Sequence, residues 1–198
     1  MYSFDQVSFR YHEHIFRDYT DEITTAKIGI IGRNGIGKTT LLRLLDHQLF
    51  PEKGEVRVDG STYLVDFDLE KYGAFLIEDL LDVCSHLASF DTSTSSTVMA
   101  SLSLDGYRRV PISDLSKGTK KKISLLLGLL ATPSVLLLDE PFESLDPESN
   151  AALVHYIQQR EGGVVIVSHE HHLLSSCVGE IFEVTGQRLE KAHDDILG

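Results

Sequence analysis

Short apolar runs alternate along the chain with longer segments whose apolar residues recur every three or four positions. Such runs are typical of strands buried on both faces of a parallel sheet, and such segments are typical of the helices that cover it. The runs occupy residues 27–31, 134–138 and 164–167, and two of the helical segments occupy residues 38–47 and 150–160. The pattern therefore predicts an α/β fold with a parallel sheet.

The patterning changes after the first helical segment. Residues 54–58 alternate apolar and polar side chains, which predicts a half-exposed strand, and residues 63–65 are expected to pair beside it. Asp59-Gly60 between them is typical of a turn. From residue 66 to about residue 112 the apolar residues return to helical spacing. This stretch predicts a helical insertion.

The length and net charge of the chain limit the kinds of partner that it is expected to bind. The 198 residues suit a single domain with its own core, and 30 acidic against 18 basic residues give a formal net charge of −12. A charge of this sign repels a phosphate backbone, so we expect no nucleic-acid partner.

The cysteines and the apolar runs indicate the cellular compartment in which the chain works. Cys84 and Cys177 are far apart and in no metal-binding spacing, which favours two free, buried thiols in a reducing cytosol. The longest apolar run, residues 123–131, has about half of the roughly 18 residues that suggest a membrane span. A membrane role is therefore expected to come through a partner.

A glycine-rich loop follows the first apolar run. Residues 32–39, Gly-Arg-Asn-Gly-Ile-Gly-Lys-Thr, fit the motif G-x-x-x-x-G-K-[ST] between a predicted strand and a predicted helix. A loop wrapped around a phosphate must turn sharply and bring its N–H groups close, which side chains would obstruct. The glycines that meet this need are Gly32, Gly35 and Gly37. Lys38 would reach the β- and γ-phosphates, and the Thr39 hydroxyl would bind Mg²⁺. The alternative, a chance glycine-rich turn, is disfavoured by the flanking elements.

Two later apolar runs end in polar residues. Asp139 and Glu140 follow the run 134–138, and His169 follows the run 164–167. Ligands of open α/β sheets bind at this edge, where Asp139 could hold Mg²⁺ and Glu140 could deprotonate a water. A solvated acidic strand end and a structural histidine are the alternatives.

The signature of a known family lies between these parts. Residues 115–119, Leu-Ser-Lys-Gly-Thr, resemble the Leu-Ser-Gly-Gly-Gln signature of the ATP-binding-cassette (ABC) ATPases. Residues 144–146, Ser-Leu-Asp, resemble the D-loop of that family, His169 resembles its switch histidine, and Tyr11 resembles the aromatic residue that stacks on adenine. The resemblance covers essentially the whole chain in the right order.

The resemblance implies a fold and an assembly. The fold is a P-loop NTPase with a RecA-like core, an N-terminal antiparallel β subdomain and an inserted α-helical subdomain at about residues 66–117, all within a single domain over residues 1–198. The functional unit would be an ATP-dependent, head-to-tail dimer with itself or a homologous cassette. Each nucleotide would lie between Lys38 of one copy and Ser116 with Gly118 of the other.

The resemblance also implies the site residues for ATP and Mg²⁺. The nucleotide would contact Tyr11, Gly32, Asn34, Gly35, Ile36, Gly37, Lys38, Thr39, Thr40, Ser116, Gly118 and Asp146. The metal ion would be held by Thr39, Asp66 and Asp139. The catalytic residues would be Glu140, His169 and Lys38.

Two departures from the family pattern bear on this interpretation. The signature has Lys117 for the first glycine and Thr119 for the glutamine, and the Leu-Ser-Lys-Gly form resembles export-type cassettes. No glutamine occurs between Gln48 and the signature, so the Q-loop glutamine is missing. Asp66 is the best positional match, because a carboxylate can also face Mg²⁺; an ordinary loop aspartate is the alternative.

Three functions fit the resemblance. The first is the ATP-hydrolysing subunit of an exporter-type transporter, cytoplasmic and peripheral on the membrane through a separately encoded membrane-spanning permease. Exposed apolar residues would receive that partner, unless they close the subdomain's core: Phe67, Leu69, Tyr72 and Phe75. The second is a soluble ABC ATPase acting on a ribosome- or DNA-related partner. The third is a regulatory cassette, which the retained Glu140 and His169 disfavour.

Overall fold

Two β-sheets organise the chain, one antiparallel and one mainly parallel. The computed structural model of the chain describes residues 1–11, 13–66, 68–185 and 187–192. The strands are β1 (Tyr2–Arg10), β2 (His14–Ile23), β3 (Lys27–Ile31), β4 (Lys53–Val58), β5 (Thr62–Leu64), β6 (Val135–Asp139), β7 (Gly163–Val167), β8 (Glu180–Thr185) and β9 (Arg188–Lys191). The α-helices are α1 (Lys38–Leu45), α2 (Ile77–Ser85), α3 (Ser95–Ser101), α4 (Lys117–Leu130), α5 (Pro147–Gln159) and α6 (His171–Cys177).

The parallel sheet has the strand order β5-β6-β7-β3-β8-β9, with all ladders parallel except the last. Its central strands bury both faces, as their apolar sequences predict. In β7, Val164 and Ile166 pack against the helices on one face, and Val165 and Val167 pack towards α1 and the antiparallel sheet on the other. The predicted parallel core is thus confirmed.

The antiparallel sheet has the order β2-β1-β4 and forms the predicted N-terminal β subdomain. Its buried aromatic residues pack on the face of the parallel sheet that carries α1. Among these, the Tyr2 hydroxyl donates to the carbonyl of Ala26 at 2.8 Å, which ties β1 to the start of β3. The hairpin of β1 and β2 therefore stands next to the strand that leads into the glycine-rich loop.

The prediction that residues 63–65 pair beside residues 54–58 is wrong. β5 instead forms the edge of the parallel sheet, where Thr62 pairs with Val135 of β6. The chain crosses between sheets at Gly60, whose φ is 89° and whose missing side chain leaves room for Ser134. The Asp59-Gly60 turn therefore joins two sheets and does not close a hairpin.

The helical insertion is present and packs against α4. It comprises α2, α3 and short 3-10 helices at Leu69–Tyr72, Asp105–Tyr107 and Ile112–Asp114. Its apolar residues form one cluster with α4 and one face of the parallel sheet. Cys84 in α2 and Cys177 in α6 are both free and buried, as predicted. No helix in the described ranges is long and apolar enough to cross a membrane.

A close contact fixes α4 against the edge of the parallel sheet. Gly128 lies inside α4, where glycine lowers helix stability by about 1 kcal/mol relative to alanine. A Cβ atom at this position would collide with the side chain of Val65. Val65 is itself held by a 3.0 Å hydrogen bond from its N–H group to the carbonyl of Leu137. The glycine is therefore explained by the close approach of the Val65 side chain to the backbone of α4.

We expect Gly128→Ala to destabilise the protein although alanine favours helix. Overpacking of this kind costs about 1–3 kcal/mol, which exceeds the gain in helix propensity. The free energy of unfolding from urea titration measures the effect.

Gly106→Ala is the matched control, because a Cβ atom there meets no atom within 4 Å. Its effect should stay within about 0.5 kcal/mol. Adding Val65→Ala to Gly128→Ala should recover part of the loss. Equal or higher stability of Gly128→Ala alone would contradict the packing argument.

Candidate nucleotide site

The glycines of the loop after β3 adopt backbone angles that other residues rarely adopt. Gly32, Gly35 and Gly37 have φ values of 144°, 78° and 112°. A Cβ atom on Gly37 would also collide with Ile15 of β2, whereas one on Gly35 would meet no atom within 4 Å. Gly35 is thus required for its conformation alone, and Gly37 for both conformation and space.

Lys38 begins α1 and folds back over this loop. Its side chain is buried, with 7% of the residue exposed. The ammonium group donates to the carbonyls of Gly32 at 2.8 Å and Arg33 at 3.3 Å, and lies 3.2 Å from Nε2 of His169. Gly37 provides no side-chain cap for α1. The start of α1 therefore combines a buried cation with the positive end of a helix, which suits a phosphate group.

Two oxygen ligands lie next to the lysine. Oγ1 of Thr39 donates to Oδ2 of Asp139 at 2.6 Å, which joins the start of α1 to the end of β6. Hydroxyl and carboxylate oxygens are the ligands that Mg²⁺ prefers, so this pair fits the metal ion. Asp66 lines the same cleft after β5, but its Oδ2 lies 3.8 Å from a guanidinium nitrogen of Arg43.

Glu140 follows Asp139 and is held on several sides. Its φ is 47°, and its N–H group donates to the carbonyl of Val167 at 2.9 Å. Its Oε2 accepts from the N–H group of His169 at 3.1 Å, and its Oε1 lies 3.3 Å from Nε2 of His169. Burial raises the pKa of the Glu140 carboxyl, and the contacts with His169 oppose this rise. A fixed carboxylate with raised proton affinity suits a proton acceptor.

These parts border a cleft of about 710 Å³. Tyr11 stands at its side, 58% exposed, with its ring 5.2 Å from that of Phe9. The residues expected from sequence that line the cleft are Tyr11, Asn34, Gly35, Gly37, Lys38, Thr39, Thr40, Asp66, Asp139 and Glu140. His169 and Gly32 contact the cleft residue Lys38. Ile36, also expected from sequence, lies beside Gly32 without lining the cleft.

The signature residues lie elsewhere on the surface. Ser116 caps α4 by accepting from the N–H group of Thr119 at 3.1 Å, and it is exposed. A Cβ atom on Gly118 would lie 3.7 Å from the carbonyl oxygen of Ser144. Within the described part of the chain, neither Ser116 nor Gly118 lines the cleft. The start of α4 therefore borders Ser144 and lies outside the cleft.

Asp146, also expected to contact nucleotide, caps α5. It accepts from both the N–H group and the hydroxyl of Ser149 at 2.9 Å, and from Nζ of Lys122 at 2.5 Å. These bonds, led by that of Lys122, hold the pKa of Asp146 well below its usual range. The carboxylate thus joins α5 to α4.

Six residues of the cleft were not predicted: Ile15, Arg43, Leu64, Val65, Lys121 and Glu143. Arg43 lies four residues after Thr39, so helical spacing indicates that both share a face of α1. Lys121 and Glu143 carry no such signal, because their contact joins α4 to the turn after β6.

We expect Asp146→Ala to lower the free energy of unfolding by about 1 kcal/mol at pH 7, because an N-cap is lost. The folded-state pKa is depressed, so this stabilisation is fully present above the unfolded pKa, begins to fall below it, and is lost as the pH falls through the lower folded-state pKa. Urea titrations at pH 7 and pH 3 measure the difference.

Asp146→Asn is the matched control, since asparagine caps helices equally well. It should keep most of the stability at pH 7 and show less pH dependence than the wild type. A loss in Asp146→Ala that is the same at both pH values would contradict the argument.

Sequence comparison identifies relatives over most of the chain. The profile of the family described as "ABC transporter" matches residues 24–143, which is more than half of the chain. The ABC transporter ATP-binding protein ARB1 of Saccharomyces cerevisiae is 29% identical, over 98% of this chain and 34% of its own length. The probable ATP-binding protein YheS of Escherichia coli is 30% identical, over 97% of this chain and 31% of its own length. The chain thus spans about a third of the length of these relatives.

Structural comparison supports the same fold. The chain matches a solved ATP-binding subunit of an ABC transporter with a TM-score of 0.80 and 17% identity, over 99% of this chain and 91% of that one. At this identity the match shows the fold alone. Together with the family profile, it shows that the chain belongs to the ABC family of ATPases.

Proposed function

We propose that the chain binds and hydrolyses Mg-ATP between two cassettes, as the ATP-hydrolysing subunit of an exporter-type ABC transporter that drives a separate membrane-spanning subunit. The observation that carries the proposal is the division of the expected site over two surfaces. Lys38, Asp139 and Glu140 line one cleft, whereas Ser116 lies outside it at the exposed start of α4. A second copy in head-to-tail arrangement would bring the two surfaces together.

In the proposed complex, the ammonium group of Lys38 binds the β- and γ-phosphates, and Tyr11 stacks on the adenine. The carbonyls that now accept from Lys38 are weak acceptors compared with phosphate oxygens, because hydrogen bonds to ionised acceptors are stronger. Thr39 and Asp139 would hold Mg²⁺, with Asp66 near them. The metal ion, when bound, supplies positive charge that neutralises charge developing on the phosphates.

Glu140 is the proposed general base. Its carboxylate accepts a proton from the attacking water, and burial favours the protonated product. His169 orients that carboxylate through its N–H group and its ring, at 3.1 Å and 3.3 Å. His169 also lies 3.2 Å from Lys38, so it joins the base to the phosphate-binding cation.

The second copy contributes the start of α4. The N-terminus of a 14-residue helix carries partial positive charge, and Gly118 leaves it open to approach. Because the γ-phosphate would contact both copies, ATP would stabilise the dimer and hydrolysis would release it. Asp146 would hold α5 against this helix through its ion pair with Lys122.

Coupling to a membrane partner rests on the Leu-Ser-Lys-Gly form of the signature and on exposed aromatic residues. Tyr72 and Phe75 are 37% and 40% exposed, with ring centroids 5.7 Å apart. Leu69 is 3% exposed and belongs to the core, so its proposed contact with a partner is wrong. Phe67 lies outside the described residues.

A second candidate is an ABC ATPase with a partner outside the membrane. YheS is named for ATP binding without mention of transport, and both relatives are about three times as long as this chain. The two candidates share the ATP chemistry and differ in the partner that the cycle drives.

We expect Lys38→Ala and Ser116→Asp each to abolish ATP hydrolysis when assayed alone. Aspartate keeps the helix cap but repels the phosphates of the other copy. In an equimolar mixture, half of the dimers contain one chain of each variant, and each of these dimers has one intact site of two. The mixture should therefore reach up to roughly a quarter of the wild-type rate. Phosphate release measures the rate.

Ser116→Asn, which keeps the cap without the charge, is the control for the aspartate. Glu140→Gln should slow turnover and remain dimeric with Mg-ATP by light scattering. Mixing without any gain, together with a monomeric Glu140→Gln variant, would overturn the shared site.

Capture from cell extracts distinguishes the two candidates. The Glu140→Gln variant with Mg-ATP should retain a multi-span membrane protein from detergent-solubilised membranes, and Lys38→Ala should not. Retention of ribosomes or DNA instead would favour the second candidate.

A further inference from the structure

The first turns of α4 carry a group of lysines with different surroundings. Lys120 pairs with Glu70 at 2.8 Å, and Lys122 pairs with Asp146 at 2.5 Å. Lys121 lies between them in sequence but lines the nucleotide cleft, with 25% of its side chain exposed. The three neighbours therefore point to three different parts of the molecule.

Lys121 contacts the backbone of the proposed base. Its Nζ donates to the carbonyl oxygen of Glu140 at 2.5 Å and lies 3.7 Å from Oε2 of Glu143. The ammonium group of Lys121 is thus directed at oxygens of Glu140 and Glu143, whereas that of Lys38 binds carbonyls of the glycine-rich loop. Burial lowers the pKa of Lys121, and the charges of Glu143 and Glu140 oppose this fall.

The backbone of Glu140 has an unusual conformation that its surroundings must hold. Glu140 has a φ of 47°, a conformation that residues other than glycine rarely adopt and that persists only where the surroundings enforce it. Its N–H group is held by Val167 of β7, and its carbonyl also accepts from the N–H group of Glu143 at 3.2 Å. Lys121 is the contact that fixes the Glu140 peptide from α4.

We propose that Lys121 is a positioning residue for ATP hydrolysis, which holds the backbone of Glu140 and ties this base to the helix that begins at Ser116. This inference rests on the proposed function. Lys121 follows Ser116 by five residues, or about 7.5 Å along the helix axis. A rigid helix thus connects the surface that would meet the other copy's nucleotide with the base in the chain's own cleft.

The test is the steady-state kinetics of Lys121→Met with Mg-ATP. Misplacing a catalytic group by a fraction of an ångström to an ångström lowers turnover strongly, so kcat should fall roughly 10- to 100-fold. KM for ATP should stay within about threefold, because Lys121 does not act through phosphate binding. Lys121→Arg, which keeps the charge and the donors, should recover much of kcat.

Lys120→Met is the matched control on the same helix, since it removes the Glu70 pair outside the cleft. Its kcat and KM should remain at wild-type values. Lys121→Met combined with Glu140→Gln should still dimerise with Mg-ATP by light scattering, as Glu140→Gln alone does.

Three outcomes would overturn the positioning role while leaving the proposed function intact. One is a kcat of Lys121→Met within about twofold of a wild type that hydrolyses ATP. The others are an equal loss in Lys120→Met and a parallel loss of ATP-dependent dimerisation, since both indicate a general disturbance of α4. A wild-type protein that neither hydrolyses ATP nor dimerises as Glu140→Gln would instead overturn the proposed function itself.

Discussion

The parallel pairing of β3, β6 and β7 is the constraint on which the site depends. Val167 of β7 pairs with Ile30 on one side and with Asp139 on the other, so the three strands end at nearly the same level. A different chemical group follows each strand: the glycine-rich loop after β3, the acidic pair after β6 and His169 after β7. A shift of one residue would move the side chains of a strand to the opposite face, where they would meet different packing partners, and it would also separate these groups.

The charge distribution shows how an acidic chain keeps a cation available for an anionic ligand. In the described part of the chain, no carboxylate lies within 4 Å of the Lys38 ammonium group, and its partners are carbonyls and an imidazole. Lys120 and Lys122, by contrast, are neutralised by carboxylates. A phosphate that replaced the carbonyls at Lys38 would exchange neutral acceptors for charged ones without breaking an ion pair.

The sequence predicted those parts that depend on local chemistry. A phosphate loop requires glycine at defined positions, and an apolar run of five residues that ends in a carboxylate can be recognised from the sequence. The fold class and the main residues of the cleft could therefore be predicted. The partner of β5 could not, because strand pairing depends on where the chain turns, and Gly60 redirects it to β6. Lys121 could not either, since its contact with Glu140 joins elements 19 residues apart.

The same long-range contacts bear on the coupling of two cassettes in the proposed dimer. α4 joins three regions: Ser116 at its exposed start, Lys121 against Glu140, and Lys122 against the cap of α5. Gly128 near its other end lies in close contact with the side chain of Val65. In the proposed dimer, a displacement of Ser116 would be passed along this helix to Lys121 and the backbone of Glu140. This is the physical basis on which nucleotide bound by one copy would act on the base of the other.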